Sequence, residues 1–302
     1  MLRKSMILVI ALLAGNLAVI QAQTGDEVIT VPGTSLTEKL AWLQRSADSH
    51  NTYIVEVNAN ENIAPHTLYY EGGINITVIL RGDSTNRTIR LRSHGSMFTV
   101  RKEVTFILDN NITLRGHSGN NASLVCVNGG TLKMNNGATI TDNTTNDTGG
   151  GVWLGEGTFE MNGGTISNNT AHSWGGGVIV EKYGGVFTMH GGTISGNNTF
   201  RNGGGVHVSY NAKFTMSGGT IMGNTARDGG GGVGANASTF IKTGGIITGY
   251  KSDPVNGNVI KDEDGNVIAR KGHAIIHGDK RKETTAGPND NFTKDGAGPW
   301  DQ

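Results

Sequence analysis

The sequence predicts an all-β fold, a right-handed single-stranded parallel β-helix of about six to seven coils, preceded by an N-terminal capping α-helix. Three observations predict it. The chain of 302 residues holds 48 glycines but only 5 prolines, with 17% charged and 6% aromatic residues. Strand-like segments recur with a period of about 27 residues. Each period contains three such segments, all short, alternating and bounded by Gly and Asn, so none can bury a face by itself.

The first ladder of segments begins at Thr77, Thr105, Thr131, Thr158, Val186, Lys213 and Thr239, with steps of 28, 26, 27, 28, 27 and 26 residues. The second follows with Gly-Gly-Thr-Ile-like segments centred on Ile89, Ile112, Ile140, Ile166, Ile194, Ile221 and Ile247. The third runs Phe98 to Val100, Val125 to Val127, Val152 to Leu154, Val178 to Val180, Val206 to Val208 and Val233 to Ala235. Coiling the chain pairs each strand in parallel with its equivalent one period away, and alternation then decides which side chains are interior. Phe159/Met161, Phe187/Met189 and Phe214/Met216 form one internal stack, Ile166, Ile194 and Ile221 a second, and the Val pairs of the third ladder a third. Glycine runs such as Gly203 to Gly205 mark sharp corners. Asn143, Asn168, Asn169, Asn197, Asn198 and Asn224 follow the second strands, where asparagine tolerates the left-handed conformation and can hydrogen-bond along a stack.

The segments outside the coils have their own signals. Residues 1–22 read as a signal peptide: Arg3 and Lys4 precede the apolar run Met6 to Ala14, and Ile20-Gln21-Ala22 offers a small-residue cleavage site, so the exported chain is expected to start near Gln23. No other stretch approaches the roughly 20 apolar residues of a membrane span. In residues 23–52, Ser35-Leu-Thr-Glu38 is a capping box, and Leu36, Leu40, Leu43 and Ala47 follow at helical spacing; this helix of about four turns is expected to plug the first coil. The β-helix itself is expected over 53–250. Lys242 takes a position that is apolar in all earlier coils, which places the end of the core there. Residues 251–302 are expected to form a hairpin turning near Asp264-Gly265, a return of Ala274 to Ile276 to the stack, and a flexible polar tail from Lys280.

Charge and cysteine content exclude several functions. Removing Arg3 and Lys4 from 25 basic residues leaves 23 against 25 acidic ones, a balance that disfavours nucleic acid or an anionic membrane as the main partner. The only cysteine is Cys126, so packing and backbone pairing must supply the stability.

Gly-Gly-Thr-Ile-Ser-Gly-Asn at 191–197, its copies at 163–169 and 218–224, and the Gly-Gly-Gly-Val segments resemble the repeats of bacterial right-handed β-helix surface proteins, similar to the units of polymorphic outer-membrane proteins. The resemblance covers roughly residues 70–250 and implies export to the cell surface, the outer membrane or the medium.

Many carbohydrate-active enzymes use coiled β folds, and their mark on outward positions is the two carboxyl groups, roughly 5 to 9 Å apart, that glycoside hydrolysis requires. The first ladder points Ile79, Ile107, Lys133, Glu160, Thr188, Thr215 and Ile241 outward, and an exposed ion pair accounts for Lys133 and Glu160. The second ladder shows hydroxyls, Thr139/Thr141, Thr165/Ser167, Thr193/Ser195 and Thr220, interrupted by Met222 and Ile246. Asp142 with Asp147, His172 with Trp174, and Arg227-Asp228 are scattered loop candidates, each read as solvated. His273 and His277 share a strand face but stand roughly 13 Å apart, too far for one metal ion. No catalytic, cofactor-binding or metal-ligating residue is therefore assigned. The third ladder leaves Cys126, Trp153 and Ile179 outward on successive coils, a candidate contact stripe. Either the C-terminal segment covers it, or a partner or sugar ring stacks on Trp153. The reading is a non-catalytic surface or envelope scaffold, adhesin-like, whose partner is a host or matrix protein, a glycan or another envelope component. A polysaccharide lyase or glycoside hydrolase of the pectate-lyase-like class is the alternative, and an ice-binding protein a remote one.

Overall fold

The computed structural model describes residues 27–269 and 271–301; the signal-peptide reading lies outside the described residues. The chain is a parallel β-solenoid of about eight turns, built from sheets of nine, nine, eight and five strands. The first ladder has the predicted register throughout, with Thr77 opposite Thr105, Thr131 opposite Thr158, and Val186 opposite Lys213. It also extends towards the N-terminus through Thr52–Val57, where Thr52 pairs with Thr77, and then Val28–Thr30. Alternation there buries Tyr53, Val55 and Val57. The third ladder keeps its predicted register too.

The second ladder needs one correction. Ile89 and Ile140 both pair with Leu114, not with Ile112, which sits opposite Arg87 and Ala138. Both residues are fully buried, and with a side-chain period of two the pattern cannot choose between inward positions two apart; the length of the preceding corner does.

A fourth ladder, absent from the three-strand reading, joins Thr144–Thr145, Thr170–Ala171, Asn198–Thr199, Thr225–Ala226 and Val259–Ile260. Two residues are too few to show alternation. The corner before it explains the asparagines. Asp142, Asn168, Gly196 and Gly223 take positive φ of 56°, 57°, 64° and 62°, whereas the next residue in each coil, Asn143, Asn169, Asn197 and Asn224, is interior. These continue to Asn258 as a buried ladder, with Nδ2 of Asn169, Asn197 and Asn224 donating to the next Oδ1 at 3.0, 2.9 and 2.8 Å. Each amide also donates to a backbone carbonyl, so a polar row inside an apolar core is satisfied along its length.

The helix spans Leu36–Ser46, about a turn shorter than expected because Ala47 is extended and caps it. Ser35 and Glu38 form the predicted capping box, and Leu36, Leu40 and Leu43 are buried. The Leu36 N–H donates to both Glu61 carboxylate oxygens, at 2.8 and 2.9 Å, which joins the positive end of the helix to a strand of the second ladder.

The other end departs most from expectation. The solenoid continues past residue 250 through Val259–Ile260 and Ile275–His277, with a tight turn at 262–266 as predicted. Lys280–Lys282 then doubles back antiparallel on Ile275–His277. The segment expected to be a flexible tail is packed on the last coil: Phe292 is 1% exposed, bridges Lys242 and lies 6.2 Å from the Phe240 ring. Lys242 does not end the core. Its stem lies in the stack and its buried Nζ donates to the Gly287 and Asp290 carbonyls at 2.5 and 3.1 Å, so the C-terminal segment supplies the partners that a buried ammonium requires.

Candidate functional site

The predicted stripe forms in register, Cys126 beside Trp153 and Trp153 beside Ile179, but it does not form a surface. Cys126 and Trp153 are half-buried, whereas Ile179 is wholly buried. The reason is the glycine corner of the preceding coil. Gly149, at φ +66°, folds over the strand so closely that a methyl group there would stand 2.5 Å from Ile179 Cγ2. One coil on, Trp174 stacks on His207 at 6.1 Å and leaves it 4% exposed. The Trp153 ring lies back across Gly155, where any side chain would collide with it. The C-terminal segment is not its cover, for it packs on the last coil, four strands along the third ladder from Trp153. Burial pushes the Cys126 thiol up from its ordinary value, against the opposing pull of Arg101, which leaves it an unreactive thiol at neutral pH. Three exposed tyrosines lie outside the sequence reading: Tyr69, Tyr183 and Tyr210, 50%, 58% and 60% exposed on the turns between third and first strands of adjacent coils. They lie off the strands, where side-chain alternation carries no information.

The fourth ladder positions a more organised site. The residue following each of its strands points away from the core, giving a column of Asn146, His172, Phe200, Arg227 and Lys261 up the rod. His172 and Phe200 stack at 4.8 Å with planes 13° apart, and the Arg227 guanidinium lies 4.1 Å over the Phe200 ring. The next residue of each coil adds a second column that includes Arg201, Asp228 and Asp262. With the turn from Glu263 to Ile268 as a wall, these residues line an open groove of about 500 Å³. Arg201 Nη1 meets Asp228 at 3.4 Å, and Arg227 Nη1 meets Glu263 at 3.1 Å. Asp262 accepts from the Asn266 backbone at 2.8 Å and its side chain at 3.1 Å, and these bonds hold its carboxyl below the usual range.

The structure thus brings together His172, Arg227 and Asp228, which in sequence are scattered loop residues, and adds Phe200 and Arg201. It separates the others. His172 faces the groove while Trp174 lies on His207; Asp142 pairs with Arg115 at 3.0 Å, and Lys133 pairs with Glu160 at 2.8 Å as expected. His273 Nδ1 accepts from the Ile260 N–H at 3.0 Å and its Nε2 lies 3.4 Å from Glu283, whereas His277 Nε2 faces the Ser238 carbonyl, so the two imidazoles have different partners. Among the described residues no three or more His, Cys, Asp or Glu side chains converge as metal ligands would. The groove could have been found from the sequence only by aligning residues 172, 200 and 227, and that alignment requires the fourth ladder.

Fold and surface together define a parallel β-solenoid carrying one stacked aromatic–guanidinium groove on its side. No family model matches the chain, and no curated protein or solved structure does either.

Proposed function

We propose that this chain is an exported bacterial β-helix of right-handed coil that acts as a surface or envelope scaffold with an adhesin-like binding role and no catalysis. The helix Leu36–Ser46 caps one end of its rod, and a signal peptide over residues 1–22 directs its export. One observation carries the non-catalytic reading: the carboxylates of the groove are already engaged, Asp228 and Glu263 by arginines and Asp262 by its own turn. A glycosidase needs one carboxyl group kept protonated by a raised pKa. Among the described residues, the carboxyls that the surroundings shift, Glu38, Asp83, Asp253, Asp262 and Asp301, all move down. A rod that is stiff, capped and decorated by corner residues suits binding, because corner side chains vary without disturbing the interior ladders.

The test is an array of glycans and matrix proteins probed with the purified protein, beside an activity screen on acidic polysaccharides. Retention of one or more array members with no depolymerisation is the expected result. Release of unsaturated or reducing ends would overturn the reading in favour of the lyase or hydrolase alternative.

A further inference from the structure

We infer that the groove beside Phe200 is a binding site for a neutral oligosaccharide; the inference rests on the binding role proposed above and names its ligand class. The interior of the fourth ladder explains Thr145, Ala171, Thr199, Ala226 and Ile260, which are all buried. It does not explain why the outward column places three planar groups face to face. Stacked on one another, His172, Phe200 and Arg227 line the groove together. The Phe200 ring adds apolar surface between the hydrogen-bonding imidazole and guanidinium groups, matching the mixed C–H and hydroxyl surface of a sugar.

Arg227 has two partners, the Phe200 face and Glu263, which place its guanidinium beside the groove. Of the five N–H donors a guanidinium carries, the pair with Glu263 occupies one. The rest, with the donors of Arg201 and the free lone pairs of Asp228 and Glu263, give the groove both donors and acceptors. Vicinal hydroxyl groups, each both donor and acceptor, fit such a set.

Charge selects among ligands. The groove is lined by two guanidinium groups, Arg201 and Arg227, against three carboxylates, Asp228, Asp262 and Glu263. One net negative charge disfavours uronates, sulfated glycans and phosphates. A cationic ligand is disfavoured as well, because Asp228 and Glu263 already have cations and Asp262 has its turn amides.

Titration calorimetry of the purified protein with neutral hexose oligosaccharides, and with uronate oligomers of equal length, tests the inference. A neutral oligomer is expected to bind. Phe200→Ala and Arg227→Gln are each expected to weaken it at least tenfold with little change in the melting curve. Trp153→Ala, on another face, should leave the affinity unchanged. Tighter binding of the uronates, no binding of any neutral oligomer, or affinity indifferent to both groove variants would overturn the assignment. The last two results together with a positive protein or glycan array would leave the scaffold role standing and remove only this site. An empty array would remove both.

Discussion

At the scale of single residues, the interior is divided between stacked aromatics and stacked amides, and the two make different predictions. Phe187 is fully buried, 4.6 Å from the Phe159 ring and 4.7 Å from Phe214. Phe187→Ala is expected to cost about 3 to 5 kcal/mol in chemical unfolding, while Thr188→Ala, outward on the same strand, stays within about 0.5 kcal/mol. Equal effects would reverse the inside and outside of the first sheet. For the amides, Asn197 donates to Asn224 and to the Ile166 carbonyl and accepts from Asn169. Removing it leaves buried donors and acceptors above and below without partners, at roughly 1 to 3 kcal/mol each. Asn197→Ala should therefore be far more destabilising than Asn198→Ala, a comparison one denaturant series can make. The first of these pairs was legible in the sequence because Phe and Thr alternate at period two. The second was legible only in part, since a run of adjacent asparagines does not say which one turns inward; the left-handed corner residue before Asn197 settles that.

At the scale of elements, what could be read followed the strength of periodicity. Strands of three to five residues repeated six or seven times were found, in register but for the second-ladder strand of Ile112, and so was the capping box at Ser35. The two-residue fourth strands were not, and the groove they organise was missed with them. The C-terminal segment from Lys280 was misread because its composition is polar; its order comes from specific partners that composition cannot show. Asp301 accepts from the Glu283 and Thr284 backbone amides at 2.7 and 2.9 Å and from Lys282 Nζ at 3.1 Å. Burial alone would raise its pKa, but these bonds outweigh burial and hold the carboxyl below its ordinary 3.8. A carboxyl depressed on folding contributes stability that is complete above that ordinary value and is lost as pH falls through the lower folded one. Trp300, whose ring packs edge-on against Phe292 at 4.6 Å, reports on this clasp. Its fluorescence should shift on acidification below pH 3.8, and Asp301→Asn should flatten that dependence. Lys242 gives the opposite window: burial lowers it from 10.5 to about 8, so the folded protein sheds this proton first and stability should rise between those values as pH increases. Lys242→Met should abolish that rise; a rise that persists in the variant would assign it to another group.

At the scale of the whole molecule, each coil touches only the coils on either side, so the rod behaves as a one-dimensional stack rather than as a single globular core. That property permits a test of the architecture as a unit. Val186 pairs with Lys213, its equivalent one coil on. Deleting residues 186–212 therefore joins Gly185 to Lys213 at the same point of the coil and brings Phe159 against Phe214, Ile166 against Ile221 and Asn169 against Asn224. These matched neighbours can restore every interior ladder. The shortened protein is expected to fold cooperatively, to lose the groove with Phe200 and Arg201, and to shorten by about 4.8 Å, the spacing of one strand. Deleting residues 186–198 is the control. It joins Gly185 to Thr199, placing a fourth-ladder residue where a first-ladder strand must begin, so the coils on either side of the junction lose their partners across it. That variant should be unfolded or aggregated, because unpaired strand edges are exposed at the break. Circular dichroism with small-angle scattering distinguishes the outcomes. Two deletions of equal effect, whether both folded or both unfolded, would mean that the coils do not act as interchangeable units.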